Sequence, residues 1–334
     1  MAELTVAVDA MGGDHAPAAI VEGAVAAVLR ADLRLALVGR AAEIDAELAR
    51  HRPAAPGRIR VVDAPDVVAM DEAPLAALRR KPRSSIRVAL ELVKAREADA
   101  VFTAGHTGAA VLGAHSVLGV LPGAERPALA VTIPTQAGAS VLLDAGANAD
   151  CRPEHLEQFA IMGAAYARVA LDIERPVVGL LSIGAEAGKG NDLIREAHAR
   201  LARAPVLFTG NLEARDLFTG RAHVIVCDGF TGNVALKVCE GLVDAIEVML
   251  REEFEAAAGI RPGASGVEPA LARLTRRLDY AQYGGAPLLG VGGLVLVGHG
   301  HSSARAVENG IVTAARLAAE RVVDRLAGAL GEAA

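Results

Sequence analysis

Two short turns in this chain offer the same chemistry. Residues 101–111 read VFTAGHTGAAV and residues 224–237 read VIVCDGFTGNVALK. Each is an apolar, β-branched run, then Gly-x-Thr-Gly (Gly105, His106, Thr107 and Gly108; Gly229, Phe230, Thr231 and Gly232), then a helical pattern, led in the second case by Asn233. A helix that starts at such a turn presents free N–H groups and a positive dipole end, so an anion such as phosphate or a carboxylate is the natural guest. Glycine also permits a tight strand-to-helix turn with no ligand. Either turn alone leaves both readings open, and the two together favour the anion site.

Other stretches add charge to that picture. In GAEAGKGN, residues 184–191, Lys189 stands between glycines and just ahead of Asn191 and Asp192 at an expected helix start. Its ammonium can neutralise a phosphate or a developing oxyanion. The spacing of the glycines and the missing Ser or Thr after Lys189 exclude a Walker loop, and GVGGLVLVGHG has no dinucleotide frame. In VDAMGGDHAP, residues 8–17, Asp9 closes the first strand, Gly12 and Gly13 follow, and Asp14 and His15 precede a helix. His15 can move a proton near neutral pH, whereas the plain alternative makes Asp14 a helix cap.

Positive charge gathers in LRRKPRSSIR, residues 78–87, as Arg79, Arg80, Lys81, Arg83 and Arg87, leading into Ser84 and Ser85 as expected caps. It gathers again in ALARLTRRL, where Arg273, Arg276 and Arg277 accompany Leu271, Leu274 and Leu278 at helical spacing. Such a helix suits an acidic protein, an anionic membrane surface or a dimer interface. The three cysteines, Cys151, Cys227 and Cys239, lack metal-ligand spacing. Cys227 and Cys239 read as packing residues rather than covalent nucleophiles, and no metal or cofactor is expected.

The elements that must position these groups alternate along the chain. LTVAVDA, LRLALVG, RIRVVDA, ADAVFTAG, PVVGLLSIG, PVLFTG and HVIVCDG read as strands. Helices are expected after Pro17, over 41–50, from Ser85, after Thr107, from Pro153 and from Asn191. That alternation predicts a three-layer α/β/α sandwich on a mainly parallel sheet, mixed because ALAVTIPT and SVLLDAG form a hairpin. Residues 1–334 are expected as a single domain, with 240–280 projecting as a helical hairpin and a long helix over 302–327.

With 334 residues and 52% hydrophobic content the core is substantial. A formal charge of -6 argues against a general nucleic-acid binder. The N-terminus shows no secretory pattern, and glycines and prolines break both long uncharged stretches, so a cytoplasmic protein without a spanning helix is expected.

Taken in order, VDAMGGDHAP, LRRKPRSSI, FTAGHTGA, LLDAGANADCRPEHLEQFA, IGAEAGKGN, CDGFTGNVALK and YGGAPLLGV closely resemble the bacterial phosphate acyltransferase family. The resemblance implies a homodimeric, phosphotransacetylase-like enzyme that transfers a long fatty acyl chain from acyl carrier protein to inorganic phosphate. It further implies delivery of acyl phosphate to a membrane glycerol-3-phosphate acyltransferase, with peripheral association at the inner face of the membrane through the hairpin. Carried onto this chain, Lys189, Asn233 and His15 are expected at the reacting centre. Gly105, His106, Thr107, Gly108, Gly229, Thr231, Gly232 and Asn191 are expected around phosphate, supported by Asp9, Gly12, Gly13 and Asp14. Arg79, Arg80, Lys81, Arg83, Arg273, Arg276 and Arg277 are expected to meet the carrier. The chain departs from the family pattern at Ala185-Glu186-Ala187 and at Val238, where acidic and hydroxyl residues are usual. A phosphotransacetylase acting on small acyl-CoA, or a non-catalytic acyl-binding scaffold, would share many of these features.

Overall fold

The computed structural model describes residues 3–51, 57–258 and 284–333. The expected α/β/α sandwich is present, but its strands divide between two sheets where one was expected. The first contains β1 (Leu4–Asp9), β2 (Leu33–Gly39), β3 (Ile59–Asp63), β4 (Ala100–Thr103), β5 (Ala128–Leu129), β11 (Ala286–Leu289) and β12 (Leu294–Val297). Their order is β3-β2-β1-β4-β12-β11-β5, parallel except for β11. The second contains β6 (Val131–Thr135), β7 (Gly138–Leu143), β8 (Val177–Leu181), β9 (Leu207–Leu212) and β10 (Val224–Val226) in the order β6-β7-β10-β8-β9. Only β6 runs against its neighbours there, as the expected hairpin with β7.

The chain passes from one sheet to the other at Ala130. Leu129 still pairs with Leu288 in the first sheet, and Val131 already pairs with Leu142 in the second. The run ALAVTIPT reads as one strand because it is apolar without a turn signal between its halves, yet their hydrogen-bonding partners differ.

Period-two alternation decides how the layers stack. Val6 and Val8 of β1 face a large core that also holds Val178, Leu180, Val224 and Val226 of the second sheet. One contiguous core therefore lies between the sheets. It is filled by α1 (Ala18–Arg30), α6 (Pro153–Ala170), α7 (Asp192–Leu201), α9 (Ala304–Ala319) and α10 (Val322–Ala333). Helix α6 fits closely because Gly163 has no side chain: a β-carbon there would stand 2.6 Å from Val224 Cγ1. On the far face of the first sheet, Ala7 and Val101 pack beneath α4 (Ser85–Lys94) and α5 (Thr107–Leu118). On the far face of the second, Leu142, Ile225 and Cys227 meet Ala235 and Cys239 of α8 (Gly229–Ala258). Helices α2 (Ala41–Leu48) and α3 (Pro74–Arg80) complete the described α-helices.

Two helix boundaries differ from expectation. Helix α8 begins at Gly229, so the Gly-x-Thr-Gly stretch is its first turn rather than a loop ahead of it. The expected helix over 302–327 is two helices, α9 and α10, with Arg321 between them at φ 53. The second arm of the expected hairpin, with Arg273, Arg276 and Arg277, lies outside the described residues.

Candidate active site

The loops that could do chemistry sit at the carboxyl ends of the parallel strands, where open α/β sheets bind their ligands. On the first sheet these are residues 10–17 after β1, 104–107 after β4 and 298–303 after β12. On the second they are residues 144–152 after β7, 182–191 after β8 and the start of α8 after β10.

Each rim is organised around a buried aspartate. Asp9 ends β1 and accepts from the Thr103 hydroxyl at 2.8 Å and the Met11 amide at 3.3 Å. Burial pushes its pKa up, opposed by those bonds and one from the Ser85 side chain. Gly12 and Gly105 lie against it: a β-carbon on Gly12 would sit 2.7 Å from Asp9 Oδ2. On the other rim, Asp144 follows β7 and is fully buried. Gly229 and Gly232 lie against Asp144 and Asn148, so close that a β-carbon on Gly232 would collide with the Asp144 carbonyl. These four glycines thus serve close approach of backbone to a protein carboxylate or carbonyl, a reason that the sequence does not distinguish from approach to a ligand.

The expected phosphate groups separate into those already engaged and those left open. At α8, Asp228 accepts from the Thr231 amide at 2.8 Å and from its hydroxyl at 2.7 Å. The Gly229 and Gly232 amides donate to the carbonyls of Asn148 and Asp228. Thr231, expected as a phosphate donor, is instead held by Asp228, whose carboxylate already fills the positive end of the helix. Asn191 is likewise engaged, capping α7 through the Ile194 amide at 3.0 Å. The His106 ring accepts from Gly108 N at 3.1 Å and caps α5.

Open groups remain on both rims. The Lys189 ammonium, the Asn233 carboxamide, the His15 ring and both the amide and hydroxyl of Thr107 have no hydrogen-bond partner among the described residues. The Lys189 stem packs over Gly184, where a β-carbon would stand 2.9 Å from its Cγ. The Asn233 side chain lies against Gly146. Asp14 and Gly13 are tied to the loop after β12, through a 2.6 Å contact of Asp14 Oδ2 with His301 Nδ1 and the Asp14 amide's bond to the Gly300 carbonyl. Asp14 is therefore not the cap of α1, which begins after Pro17.

Helix α8 links the rims. It starts on the second sheet, and two turns later Lys237 Nζ lies 3.1 Å from His299 Nε2, on the first. Burial and then the Lys237 charge lower the pKa of His299. Lys237, His299 and Asp144 carried no expectation from the sequence, whereas Asp228 was expected only as part of the turn ahead of Gly229. Asp144 had a signal, because LLDAG repeats the apolar run, Asp and Ala of AVDAM.

The basic stretch is less cationic than its sequence. Lys81 pairs with Glu72, Arg80 with Glu72 at 3.7 Å, Arg83 with Asp63 at 3.1 Å and Arg87 with Glu91 at 3.0 Å. Arg79 alone of the five has no ion-pair partner among the described residues. Ser84 precedes α4 as expected, but its hydroxyl makes no cap bond and is buried without a partner. The cysteines are poor nucleophiles. Burial, with the Asp144 charge, drives Cys151 up to about 12 and Cys227 well above the usual thiol range, and burial raises Cys239. Among the described residues no cluster of ligating side chains could hold a metal ion, and no helix is long and apolar enough to cross a membrane.

A family model described as "Fatty acid synthesis protein" matches residues 4–325. The chain is 46% identical over 308 residues to a phosphate acyltransferase of Heliobacterium modesticaldum, covering 92% of each. It is 48% identical over 323 residues to one of Pelotomaculum thermopropionicum, covering 97% of this chain and 93% of that one. Among solved structures its fold is similar to a phosphotransacetylase from Streptococcus pyogenes, with TM-score 0.66, 19% identity and coverage of 95% of this chain and 94% of that one. It is also similar to the EutD phosphotransacetylase of Staphylococcus aureus, with TM-score 0.62, 14% identity and the same coverage.

Proposed function

The chain belongs to the phosphate acyltransferase family and is an acyltransferase, and on that premise we propose that it transfers a long fatty acyl group from acyl carrier protein to inorganic phosphate. An oxygen of the phosphate dianion adds to the thioester carbonyl carbon, and the carbonyl electrons move onto oxygen. The intermediate collapses with loss of the carbon–sulfur bond, leaving acyl phosphate and the carrier thiolate, which takes up a proton. Phosphate is already a nucleophilic anion at neutral pH, so the protein's task is placement and stabilisation of negative charge.

In this reading Thr107 and the free amide at the start of α5 take the phosphate. Lys189 and Asn233 flank the developing oxyanion, and His15 serves the departing thiolate. Thr231 joins only by exchanging Asp228 for the substrate. The observation that carries the reading is that Lys189 and Asn233 keep their polar ends unengaged on one strand-end rim, while all three thiols are held protonated. That combination supports direct attack by phosphate over an acyl-cysteine route.

Arg79 is the cation of the basic stretch best placed to meet an acidic carrier. A homodimer working at the inner face of the membrane, and passing acyl phosphate to a membrane glycerol-3-phosphate acyltransferase for phospholipid synthesis, completes the proposal. The test is phosphate-dependent release of carrier thiol from acyl carrier protein, with acyl phosphate trapped by hydroxylamine. Turnover of small acyl-CoA in preference to the carrier thioester would overturn the substrate assignment, and release of thiol without hydroxylamine-trappable product would overturn the reaction.

A further inference from the structure

The Asp144 carboxylate joins two separate pieces of the chain. Its Oδ1 accepts from the Leu129 amide at 2.9 Å, the Gly146 amide at 3.1 Å and the Ala147 amide at 2.9 Å. Its Oδ2 accepts from the Asn148 amide and the Asn148 Nδ2, each at 2.8 Å. Burial pushes the Asp144 pKa up, and the bonds from Ala147, Leu129 and Asn148 oppose that shift, as donors to a carboxylate do when it leaves water. Leu129 belongs to the edge strand of the first sheet, and Gly146, Ala147 and Asn148 form the loop that receives α8. Asn148 continues the connection on both sides: its Nδ2 also donates to the Pro127 carbonyl at 2.7 Å, and its carbonyl accepts from the Gly229 amide at 2.8 Å.

We infer that Asp144, acting through Asn148, is the positioning residue of the site, setting where the first turn of α8 stands relative to the first sheet. No step of the proposed chemistry touches Asp144. Its carboxylate fixes the loop 146–148. That loop seats Gly229 and lies against Asn233, and the bond to Leu129 locks the same loop to the sheet carrying Thr107 and His15. An apolar or merely neutral side chain could fill the volume but could not gather five N–H groups in this way. This inference rests on the proposed function for its kinetic consequence but not for its structural one.

The experiment compares Asp144→Asn and Asn148→Ala with the parent chain by initial rates over a range of inorganic phosphate, and by amide hydrogen exchange. Asp144→Asn puts an NH₂ where N–H groups already point; Asn148→Ala leaves the carboxylate and all its backbone donors. In folded protein, assayed well below its melting temperature, each variant is expected to lose at least about tenfold in kcat/KM for phosphate, the scale of a misplaced catalytic group. Faster exchange should be confined to Leu129, residues 146–148 and residues 229–233. Variants that melt earlier yet keep the parental kcat, KM and exchange at 229–233 would reduce Asp144 to a packing role and overturn the inference. If Asp144→Asn does not fold, Asn148→Ala decides the matter alone. If the parent chain shows no phosphate-dependent transfer, the proposed reaction fails while the exchange at 229–233 still decides the positioning.

Discussion

Lys237 and His299 meet at 3.1 Å although one belongs to a helix rooted in the second sheet and the other to a loop of the first. The contact has a titration consequence. Burial is the larger cause of the lowered pKa of His299, and the Lys237 charge adds to it. Lys237→Gln should therefore raise the His299 pKa without bringing it fully back to the ordinary value. An NMR titration of the ring protons measures this, and an unchanged or lower pKa would exclude the charge contribution.

Lys189→Ala and Asn233→Ala are expected to lower kcat by about 10²–10³ each, the typical cost of removing one donor to a developing oxyanion. Both side chains are solvent-exposed and make no hydrogen bond among the described residues. The melting temperature should stay at the parental value, and steady-state rates on acyl carrier protein thioester decide the matter.

The two threonines of the Gly-x-Thr-Gly turns should behave differently. Thr231→Val removes a hydroxyl that donates to Asp228 and should cost about 1 kcal/mol of stability in a denaturant titration, the usual worth of one hydrogen bond, with a modest effect on rate. Thr107→Val removes an uncommitted hydroxyl and should raise KM for phosphate while leaving the denaturation midpoint in place. Equal effects on both readouts would return Thr231 to the direct phosphate donors.

Glycine substitutions separate close packing from open loop. Gly232→Ala drives a methyl group into the Asp144 carbonyl and should destabilise the fold by about 1–3 kcal/mol or more. A β-carbon at Gly188 would meet nothing within 4 Å, so Gly188→Ala should fall within about 0.5 kcal/mol of the parent. Thermal melts of the two variants, side by side, suffice.

Thiol reactivity reports the cysteine environment. A pKa of about 12 for Cys151 leaves about one thiol in 10⁴ ionised at pH 8, and only the thiolate reacts. Cys227 is held higher than usual as well. Both should resist iodoacetamide in the native state and react rapidly once the chain is unfolded. Stoichiometric labelling of native Cys227 at pH 8 would reopen the acyl-cysteine route.

Much of this architecture was legible in the amino-acid pattern, for identifiable reasons. Strands such as AVFT and LVLV, and helices such as α6 behind Pro153, are specified locally by apolar period and by start signals. The division into two sheets is not, because ALAVTIPT is uniformly strand-like and only its partners, Leu288 far along the chain and Leu142 in the next strand, tell its halves apart. The positions of both threonine turns at strand ends followed from the alternation alone. The engagement of Thr231 was within reach, since Asp228 three residues ahead is a capping signature. The basic stretch is less cationic than its sequence because its neutralising acids, Asp63, Glu72 and Glu91, lie outside it in sequence and beside it in space. Lys237 and His299 carry no motif, and only the path of α8 brings them together.

That path has a mechanical side. With 30 residues at the usual helical rise, α8 is about 45 Å long, and its bonds to Asn148 and His299 lie in its first three turns. A reorientation of about 5° at those bonds sweeps Ala258 through about 4 Å by the geometry of a rigid rod of this length. The far end of the helix is therefore the place where a change in how its first turns are held would show most plainly.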